Sequence, residues 1–248
     1  MKKAGFMQKI LKYFFLCMIF GFFLSSCGLQ EVYLVSAPSK NEGPRYDGDD
    51  YTKWYFDFNT SNDKGDNFLG TDVYYKIYNN KVTLESQRSV INKMSESTNS
   101  AESANIMIND YNYQPLKAKG KSGVVFYPSS TGERALIRLK TYKNGSSDVG
   151  ITWYTFNAGV GTLSSNDYSP QRSNEKTFDF FDYNETKSTL NVEPSKDDSD
   201  YCMSDTFSES NCYYVQMYAV GVGINPETCT QFYSLALDLG SVPIRKGE

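Results

Sequence analysis

The sequence predicts a mainly β protein, built as an antiparallel sandwich with one short helical insertion. At least six segments alternate apolar and polar residues with a period of two, the pattern of a strand with one buried face. The chain of 248 residues contains 20 tyrosines and 16 phenylalanines, and both residue types are enriched in strands. Stretches rich in Gly, Asn, Asp and Ser separate many of these segments and favour turns.

The first 26 residues have the features of a secretory signal. Residues 1–12 contain four lysines and no acidic residue, and residues 13–24, YFFLCMIFGFFL, are almost entirely apolar. This apolar run is too short for a transmembrane helix, which needs about 20 residues, but it suits the centre of a signal peptide. We therefore predict that residues 1–26 are removed after the small residues Ser25 and Ser26.

The segment LSSC, residues 24–27, resembles the lipobox of bacterial lipoproteins. In that family the signal is cut immediately before the cysteine, and a diacylglycerol is joined to the cysteine sulfur by a thioether. The resemblance implies that Cys27 is a lipid attachment site. Two or more acyl chains at this residue would anchor the protein stably to a membrane. It also implies a location in the cell envelope, facing the periplasm or the cell surface. A plain signal peptide with an incidental cysteine is the alternative.

The composition of the mature chain excludes several classes of function. Without residues 1–26 the chain has 21 basic and 29 acidic residues, a net charge near −8. This balance argues against a nucleic-acid partner and against adhesion to anionic lipid by charge. The chain contains no histidine, the commonest general base and metal ligand. We therefore expect a protein that is not an enzyme and that has no metal or other cofactor.

The mature chain is predicted to contain a tether and a single folded domain. We expect residues 27–50 to form the lipidated cysteine and the tether, because SAPSKNEGPRYDGDD at 36–50 is rich in Pro, Gly and polar residues. Residues 51–248 form the predicted domain. Its first strands are KWYFDFN at 53–59 and GTDVYYKIY at 70–78, which we predict to pair as antiparallel neighbours across a turn-rich loop.

The rest of the domain is predicted from the same patterns. Residues 81–110 carry apolar residues at roughly helical spacing, which predicts one or two short helices as an insertion between strands. Asn144-Gly145 suits a hairpin turn. The remaining predicted strands are 123–128, 134–142, 148–156, 177–183, 213–221 and 230–240, and the predicted long loops are 157–175 and 184–211.

Two of these strands resemble the fibronectin type III kind of immunoglobulin-like sandwich. GTDVYYKIY resembles that family's third strand, and YYVQMYAVG at 213–221 resembles its sixth, with a tyrosine near the start and an alanine near the end. Trp54 would correspond to the buried tryptophan of the second strand. The mature chain departs from the family by its length, since the usual domain has about 100 residues, and by its long loops and helical insertion.

The lipobox, the closing FYSLALDLGSV and the high content of Tyr, Ser and Asn together resemble the lipidated surface or periplasmic proteins of spirochaetes. This resemblance implies a fold and a location, and it implies no catalytic residues.

Three cysteines follow the lipid attachment site, at Cys202, Cys212 and Cys229. If 213–221 forms a hairpin with the segment after INPET, Cys212 and Cys229 lie at opposite ends of it, roughly 30 Å apart. A disulfide needs α-carbons within about 7 Å. We therefore predict a Cys202–Cys212 disulfide that leaves Cys229 as a thiol, with a fully reduced chain as the alternative.

Two classes of function stay open at this stage. The first is a lipid-anchored binding or structural module with a protein or glycan ligand. The second is a histidine-free envelope enzyme, such as a glycan hydrolase that uses two carboxylates about 5–10 Å apart. Calcium binding also stays open, because NDKGDN at 62–67 and DDSD at 197–200 place several oxygen ligands close together. The sequence identifies no ligand-binding residue.

Overall fold

The structure is a computed structural model. It describes residues 34–47, 50–96, 101–119, 132–139, 150–157, 160–168, 170–178, 180, 193–204 and 212–245. The elements in chain order are β1 (Ser39–Asp47), β2 (Asp50–Asn59), β3 (Phe68–Tyr78), α1 (Lys81–Ser95), α2 (Glu102–Asn105), a π-helical turn (Ile106–Asp110), β4 (Gln114–Pro115), β5 (Lys117–Ala118), β6 (Arg134–Arg138), β7 (Gly150–Asn157), β8 (Val160–Tyr168), β9 (Pro170–Gln171), β10 (Tyr201–Cys202), β11 (Cys212–Ile224), β12 (Gln231–Tyr233) and β13 (Leu237–Arg245).

The strands form two main sheets. The first sheet has the order β1-β2-β6-β7-β8 and is antiparallel throughout. The second sheet has the order β10-β3-β11-β12, with β13 also paired to β11 and β4 to β3. Only the short β10 runs parallel to its neighbour among the described pairs of this sheet. The two strands β5 and β9 make a small separate pair.

The two sheets pack face to face around one apolar core. Phe56 and Phe58 of β2 and Ile137 of β6 enter this core from the first sheet, and Val73 and Tyr75 of β3 enter it from the second. All five are fully buried. The predicted class is therefore confirmed: the protein is a mainly antiparallel β-sandwich with a short helical insertion.

β3 is buried on both faces, so the second sheet is the middle layer of three. Its inner residues lie in the sandwich core, while Tyr74 and Tyr78 face outward into a second apolar cluster. Leu84 and Ile91 of α1 and Met107 of the π-helical turn cover that outer face. The insertion predicted at 81–110 is thus confirmed, and it forms the third layer.

The predicted strand 213–221 is confirmed, whereas the predicted strand 230–240 is divided into β12 and the start of β13. Residues 213–221 lie within β11, and the alternate side chains Tyr213, Val215, Met217 and Ala219 enter the sandwich core. The chain turns after Ile224 and returns as β12 and then β13, both antiparallel to β11.

The predicted pairing of 53–59 with 70–78 is wrong. The first segment lies in β2, which pairs with β1 and β6, and the second lies in β3 of the other sheet. The loop 60–67 carries the chain from one sheet to the other. The alternating pattern indicates only that one face of each strand is buried. Here the buried faces of β2 and β3 pack against each other across the core, and the edges of the two strands do not pair.

The predicted tether at 36–50 is wrong over Ser39–Asp47, which form the edge strand β1. Its polar composition and its proline are compatible with an edge position, where one side of the strand is unpaired. The register of β1 against β2 shifts three times, which accommodates the irregular sequence. The Asn41 side chain also bonds to Asp57 and Asn59 of β2.

Two predicted loops contain strands. β8 and β9 lie within 157–175, and β10 lies within 184–211. These strands are short or rich in small polar residues, so their sequences lack an alternating apolar signal. Conversely, the described part of the predicted strand 177–183 is not in a strand, although Phe178 and Phe180 are buried in the core.

β6 and β7 pair as predicted for 134–142 and 148–156. The signal peptide, Cys27, the strand at 123–128 and the turn at Asn144-Gly145 lie outside the described residues.

The residues that carry the fibronectin III resemblance lie in three strands of the two sheets. β3 and β11, which carry the motifs likened to the third and sixth strands, are neighbours in one sheet. β2, which carries Trp54, lies in the other sheet.

Candidate functional site

An ion cluster centred on the buried pair Arg172 and Asp200 lies at one edge of the sandwich core, and we call it the Arg172 cluster. Arg172 is the residue after β9, and its side chain is completely shielded from solvent. Its Nε donates to Asp200 Oδ2 at 2.7 Å, and its Nη2 donates to Asp200 Oδ1 at 2.6 Å and to Asp198 Oδ2 at 2.8 Å. Such a two-pronged pairing is the strongest common form of an ionic hydrogen bond.

Neighbouring groups complete the cluster. The Tyr75 hydroxyl of β3 donates to Asp200 Oδ2 at 2.5 Å and accepts the Ser173 amide at 2.7 Å. The Lys176 amine donates to Asp198 Oδ1 at 2.7 Å. Burial acts to raise the pKa of Asp198, but hydrogen bonds from Lys176, the Ser195 amide and Arg172 outweigh it and bring the pKa to about 2. Asp198 is therefore ionised at neutral pH.

The contacts of Asp198 and Asp200 contradict a calcium site at 197–200. Both carboxylates are bound to cations of the protein itself, so their charge is already neutralised. The cluster ties the loop 193–200 and the loop after β9 to the second sheet. Within the cluster, Arg172 Nη1 is a buried polar atom without a hydrogen-bond partner among the described residues.

The loop 62–67 is likewise organised without a cation. Asp63 Oδ2 accepts the Ser36 amide and its Oδ1 accepts the Gly65 amide, both at 2.8 Å. Burial acts to raise the pKa of Asp63, while these amide bonds lower it below its ordinary value. The Asp63 carboxylate therefore stabilises the loop by accepting backbone amides, which accounts for an acidic residue and a glycine in this segment.

A second polar cluster lies between the helices and the outer face of the second sheet, and we call it the Lys76 layer. Lys76 of β3 is 7 % exposed, and its amine donates to the Tyr111 carbonyl at the end of the π-helical turn. The same amine lies 5.8 Å and 5.9 Å from the ring centroids of Tyr78 and Tyr113. Burial lowers the pKa of Lys76, and the nearby Cys202 opposes that shift.

The Lys76 layer continues through hydroxyl and amide groups. The Tyr78 hydroxyl donates to Gln87 Oε1 at 2.8 Å and lies 3.0 Å from the Tyr113 hydroxyl. Gln87 Nε2 approaches the Cys202 sulfur at 3.9 Å. An amine with a lowered pKa beside a thiol has nucleophilic potential. However, the sheet, the helices and two aromatic rings cover this amine, so its contacts are those of a group that fastens the helical layer.

Asp238 is the centre of a third polar cluster, which joins α1 to the second sheet. Its Oδ2 accepts Arg88 Nε at 2.6 Å and Asn92 Nδ2 at 2.7 Å, and its Oδ1 accepts Gln216 Nε2 at 2.7 Å. Burial acts to raise the pKa of Asp238, but the bonds from Asn92 and Arg88 lower it below its ordinary value. The Tyr218 hydroxyl donates to Asn92 Oδ1 at 3.2 Å and continues the network.

The segment 34–36 is held at one end of the second sheet, where β3 begins and β11 ends. We call this end, with the loop 60–67 and the turn 225–230, the basal end. A Cβ added to Gly221 would lie 2.4 Å from the Ser36 carbonyl, and one added to Gly223 would lie 2.8 Å from Val35. The two glycines thus allow the segment to cross β11 in close contact. The distal end is the opposite one, where β3 ends and β11 begins.

The structure contradicts the predicted Cys202–Cys212 disulfide. Cys202 of β10 is a thiol that lies beside Tyr78 of β3, and Tyr78 in turn lies beside Tyr214 of β11. Because β3 lies between the two strands, the cysteines are separated by two strand spacings, roughly 10 Å. Their α-carbons are too far apart for a disulfide. Cys229 is an exposed thiol in the turn at the basal end.

Sequence patterns do not indicate the Arg172 cluster, because Arg172 is distant along the chain from Asp198 and Asp200, and all three lie in segments predicted as loops. A signal for the Lys76 layer was present in YYKIY, since β3 is aromatic or aliphatic at positions of both faces. A strand with one solvent face would not carry Tyr74 and Tyr78 on that face. Lys76 between them therefore had to be buried.

Comparisons with protein families, with curated proteins and with solved structures give no match for this chain. Among the described residues no group of three or more Cys, Asp or Glu side chains has the arrangement of a metal site. No helix of the described part is both long enough and apolar enough to cross a membrane.

Proposed function

We propose that this protein is a lipid-anchored lipoprotein of the bacterial cell envelope, attached through Cys27. The observation that carries the proposal is the order of a basic start, a short apolar run and the lipobox-like LSSC. Two or more acyl chains at Cys27 would hold the protein stably at the membrane. The folded domain then acts as a binding or structural module for a protein or glycan.

The polar clusters favour a module over an enzyme. Asp198 and Asp200 are paired with Arg172, and Asp238 is paired with Arg88, so these carboxylates are committed to holding loops and α1 in place. A glycan hydrolase needs one carboxylic acid that keeps its proton near neutral pH. The low pKa of Asp198 is the opposite of that requirement.

Metabolic labelling tests the anchor directly. Cells that express the full chain are grown with an alkyne-tagged fatty acid, and the label is detected on the purified protein. The Cys27→Ser variant should lose the label and leave the membrane fraction. The matched control is Cys229→Ser, which removes an exposed cysteine of the folded domain and should keep both properties. A Cys27→Ser protein that is still labelled would disprove the anchor.

A second experiment separates a module from a hydrolase. The soluble fragment 28–248 is incubated with purified envelope polysaccharide, and both co-sedimentation and new reducing ends are measured. Binding without new reducing ends is the expected result if the ligand is a glycan. Release of reducing ends that disappears in Asp198→Asn would overturn the assignment as a module.

A further inference from the structure

The described chain leaves a much shorter tether than the sequence predicted. Ser39–Asp47 belong to β1, and the amide of Ser36 is bonded to Asp63. Only residues 28–33 lie between Cys27 and the first described residue, Leu34. A chain extends by at most about 3.6 Å per residue, so the lipidated sulfur lies within roughly 25 Å of Leu34.

The point at which the tether joins the domain is fixed. Val35 and Ser36 cross β11 at Gly221 and Gly223, where any larger residue would collide with them. The amide of Ile224 also bonds to the Asn67 carbonyl, which joins the end of β11 to the loop before β3. All these contacts lie at the basal end.

We infer that the basal end of the domain faces the bilayer and that the distal end is held away from it. This inference rests on the proposed anchor at Cys27. β3 runs from Phe68 at the basal end to Tyr78 at the distal end, a length of roughly 33 Å. A tether of at most about 25 Å that starts at the basal end cannot bring the distal end to the membrane without tilting the whole domain.

The charges of the basal end indicate that the tether, and not attraction to lipid headgroups, sets this orientation. The exposed side chains there include Asp66 and Glu227 against Lys64, so the surface is net acidic. Anionic headgroups would repel such a surface weakly. The same orientation is therefore expected on neutral phosphatidylcholine vesicles and on vesicles that contain phosphatidylglycerol.

Energy transfer to a headgroup dye measures the orientation. The lipidated full chain is reconstituted into vesicles with one fluorophore at a time. The basal probe is placed on the native Cys229 in a Cys202→Ser, Cys212→Ser background. The distal probe is placed on Val82→Cys in the same background with Cys229→Ser. Val82 is 77 % exposed and lies in the first turn of α1, directly after β3.

The basal probe should show at least about twofold higher transfer efficiency than the distal probe, given a separation near 30 Å along β3. Equal transfer, or stronger transfer from position 82, would overturn the orientation. A variant with 20 Gly and Ser residues inserted after Gln30 should lose the difference, because the longer tether lets either end approach the bilayer. An unchanged difference in that variant would also overturn the inference.

The anchor and the orientation fail in distinguishable ways. If lipidation at Cys27 is wrong, the protein does not remain on the vesicles and no probe transfers energy. If lipidation is right and the orientation is wrong, both probes report membrane-bound protein with the wrong ranking. Circular dichroism of each variant establishes that the sandwich is intact before the vesicles are used.

Discussion

Arg172 is a charged side chain that the fold has removed completely from water. Transfer of an isolated guanidinium into the interior would be prohibitive, so the cation is stable there only because Asp198 and Asp200 accept its hydrogen bonds. Asp200 in turn is bonded by the Tyr75 hydroxyl. Each member is therefore required by the others, and removal of one leaves a buried charge without a partner.

We predict that Arg172→Met lowers the free energy of unfolding by about 3–5 kcal/mol, because the buried Asp200 loses the cation that it pairs with. Denaturant unfolding followed by circular dichroism measures this. Glu85→Gln is the control, since Glu85 is half exposed in a surface pair with Arg88, and it should change stability by less than about 1 kcal/mol. Similar losses in both variants would contradict the central role of the Arg172 cluster.

Lys76 gives a prediction about pH. Its pKa is lowered by burial, so the folded chain releases the Lys76 proton at a lower pH than the unfolded chain, which releases it near 10.4. Between those two pKa values the unfolded state binds more protons, and stability rises with pH. Wild-type protein should therefore gain stability relative to Lys76→Met as the pH is raised from about 7 to 10.

Denaturant unfolding of both proteins at several pH values checks this difference. Lys93→Met is a suitable control for the loss of a lysine side chain, because Lys93 is exposed on the same helix that covers Lys76. A difference between wild type and Lys76→Met that stays constant with pH would contradict the lowered pKa of Lys76.

The role of Arg172 was not recognised from the sequence, for a physical reason. Arg172 binds Asp200, 28 positions away, and Asp200 binds Tyr75, 125 positions away. Local patterns report on neighbours along the chain and on the face of an element. They carry no information about which buried cation meets which carboxylate across two loops.

At the scale of elements, the sequence predicts strands well and their partners poorly. The alternation in β2, β3 and β11 correctly identifies the faces that enter the core. The partner of β3 is β11, more than 130 residues later, and the sequence-adjacent β2 lies in the other sheet. Burial of one face leaves the hydrogen-bonding edge undetermined, so pairing had to come from the structure.

The arrangement of β10, β3 and β11 makes a prediction about oxidation. Because β3 separates Cys202 from Cys212, peptide mapping of the non-reduced protein should find no peptide that links these two residues. Alkylation under native conditions should instead modify Cys229 fastest, since it is exposed while Cys202 is half-buried. A Cys202–Cys212 cross-link in folded protein would contradict the pairing of β10 with β3.

The attachment of α1 to the second sheet depends on Asp238. We predict that Asp238→Asn lowers the free energy of unfolding by about 2–4 kcal/mol, because a neutral amide accepts fewer of the bonds from Arg88, Asn92 and Gln216. Hydrogen exchange should show that the amides of α1 lose protection before those of β3. Equal loss in both elements would indicate that the helical layer and the sheet unfold as one unit.

At the scale of the whole molecule, the three layers explain the abundance of tyrosine. Tyr75 and Tyr213 fill the sandwich core, while Tyr78, Tyr113 and Tyr218 fill the layer beneath the helices. The phenol rings supply buried apolar area, and their hydroxyls satisfy polar partners in both layers. The sequence predicted strands rich in aromatic residues and a helical insertion, but not that the insertion makes β3 a strand buried on both faces.

This burial predicts an alkaline transition. Desolvation raises the pKa of Tyr74, Tyr75, Tyr78, Tyr113 and Tyr218 well above the ordinary value. Above about pH 10 the unfolded chain releases phenol protons that the folded chain retains, so stability falls as the pH rises. Lys76 contributes to stability with the opposite pH dependence, but it is a single group, and the combined effect of the five phenols is larger. Phenolate absorbance should therefore rise in two steps, first for exposed tyrosines and then for buried ones.

The second step should coincide with the loss of the circular-dichroism signal, because the buried phenols ionise only when the sandwich opens. The chain in denaturant is the control, and it should show one step near pH 10 for all of its tyrosines. Tyr78→Phe should reduce the amplitude of the second step and leave the first unchanged, since Tyr78 is fully buried. A single step near pH 10 with the circular-dichroism signal retained would mean that water reaches these rings, and the three-layer packing would then be wrong.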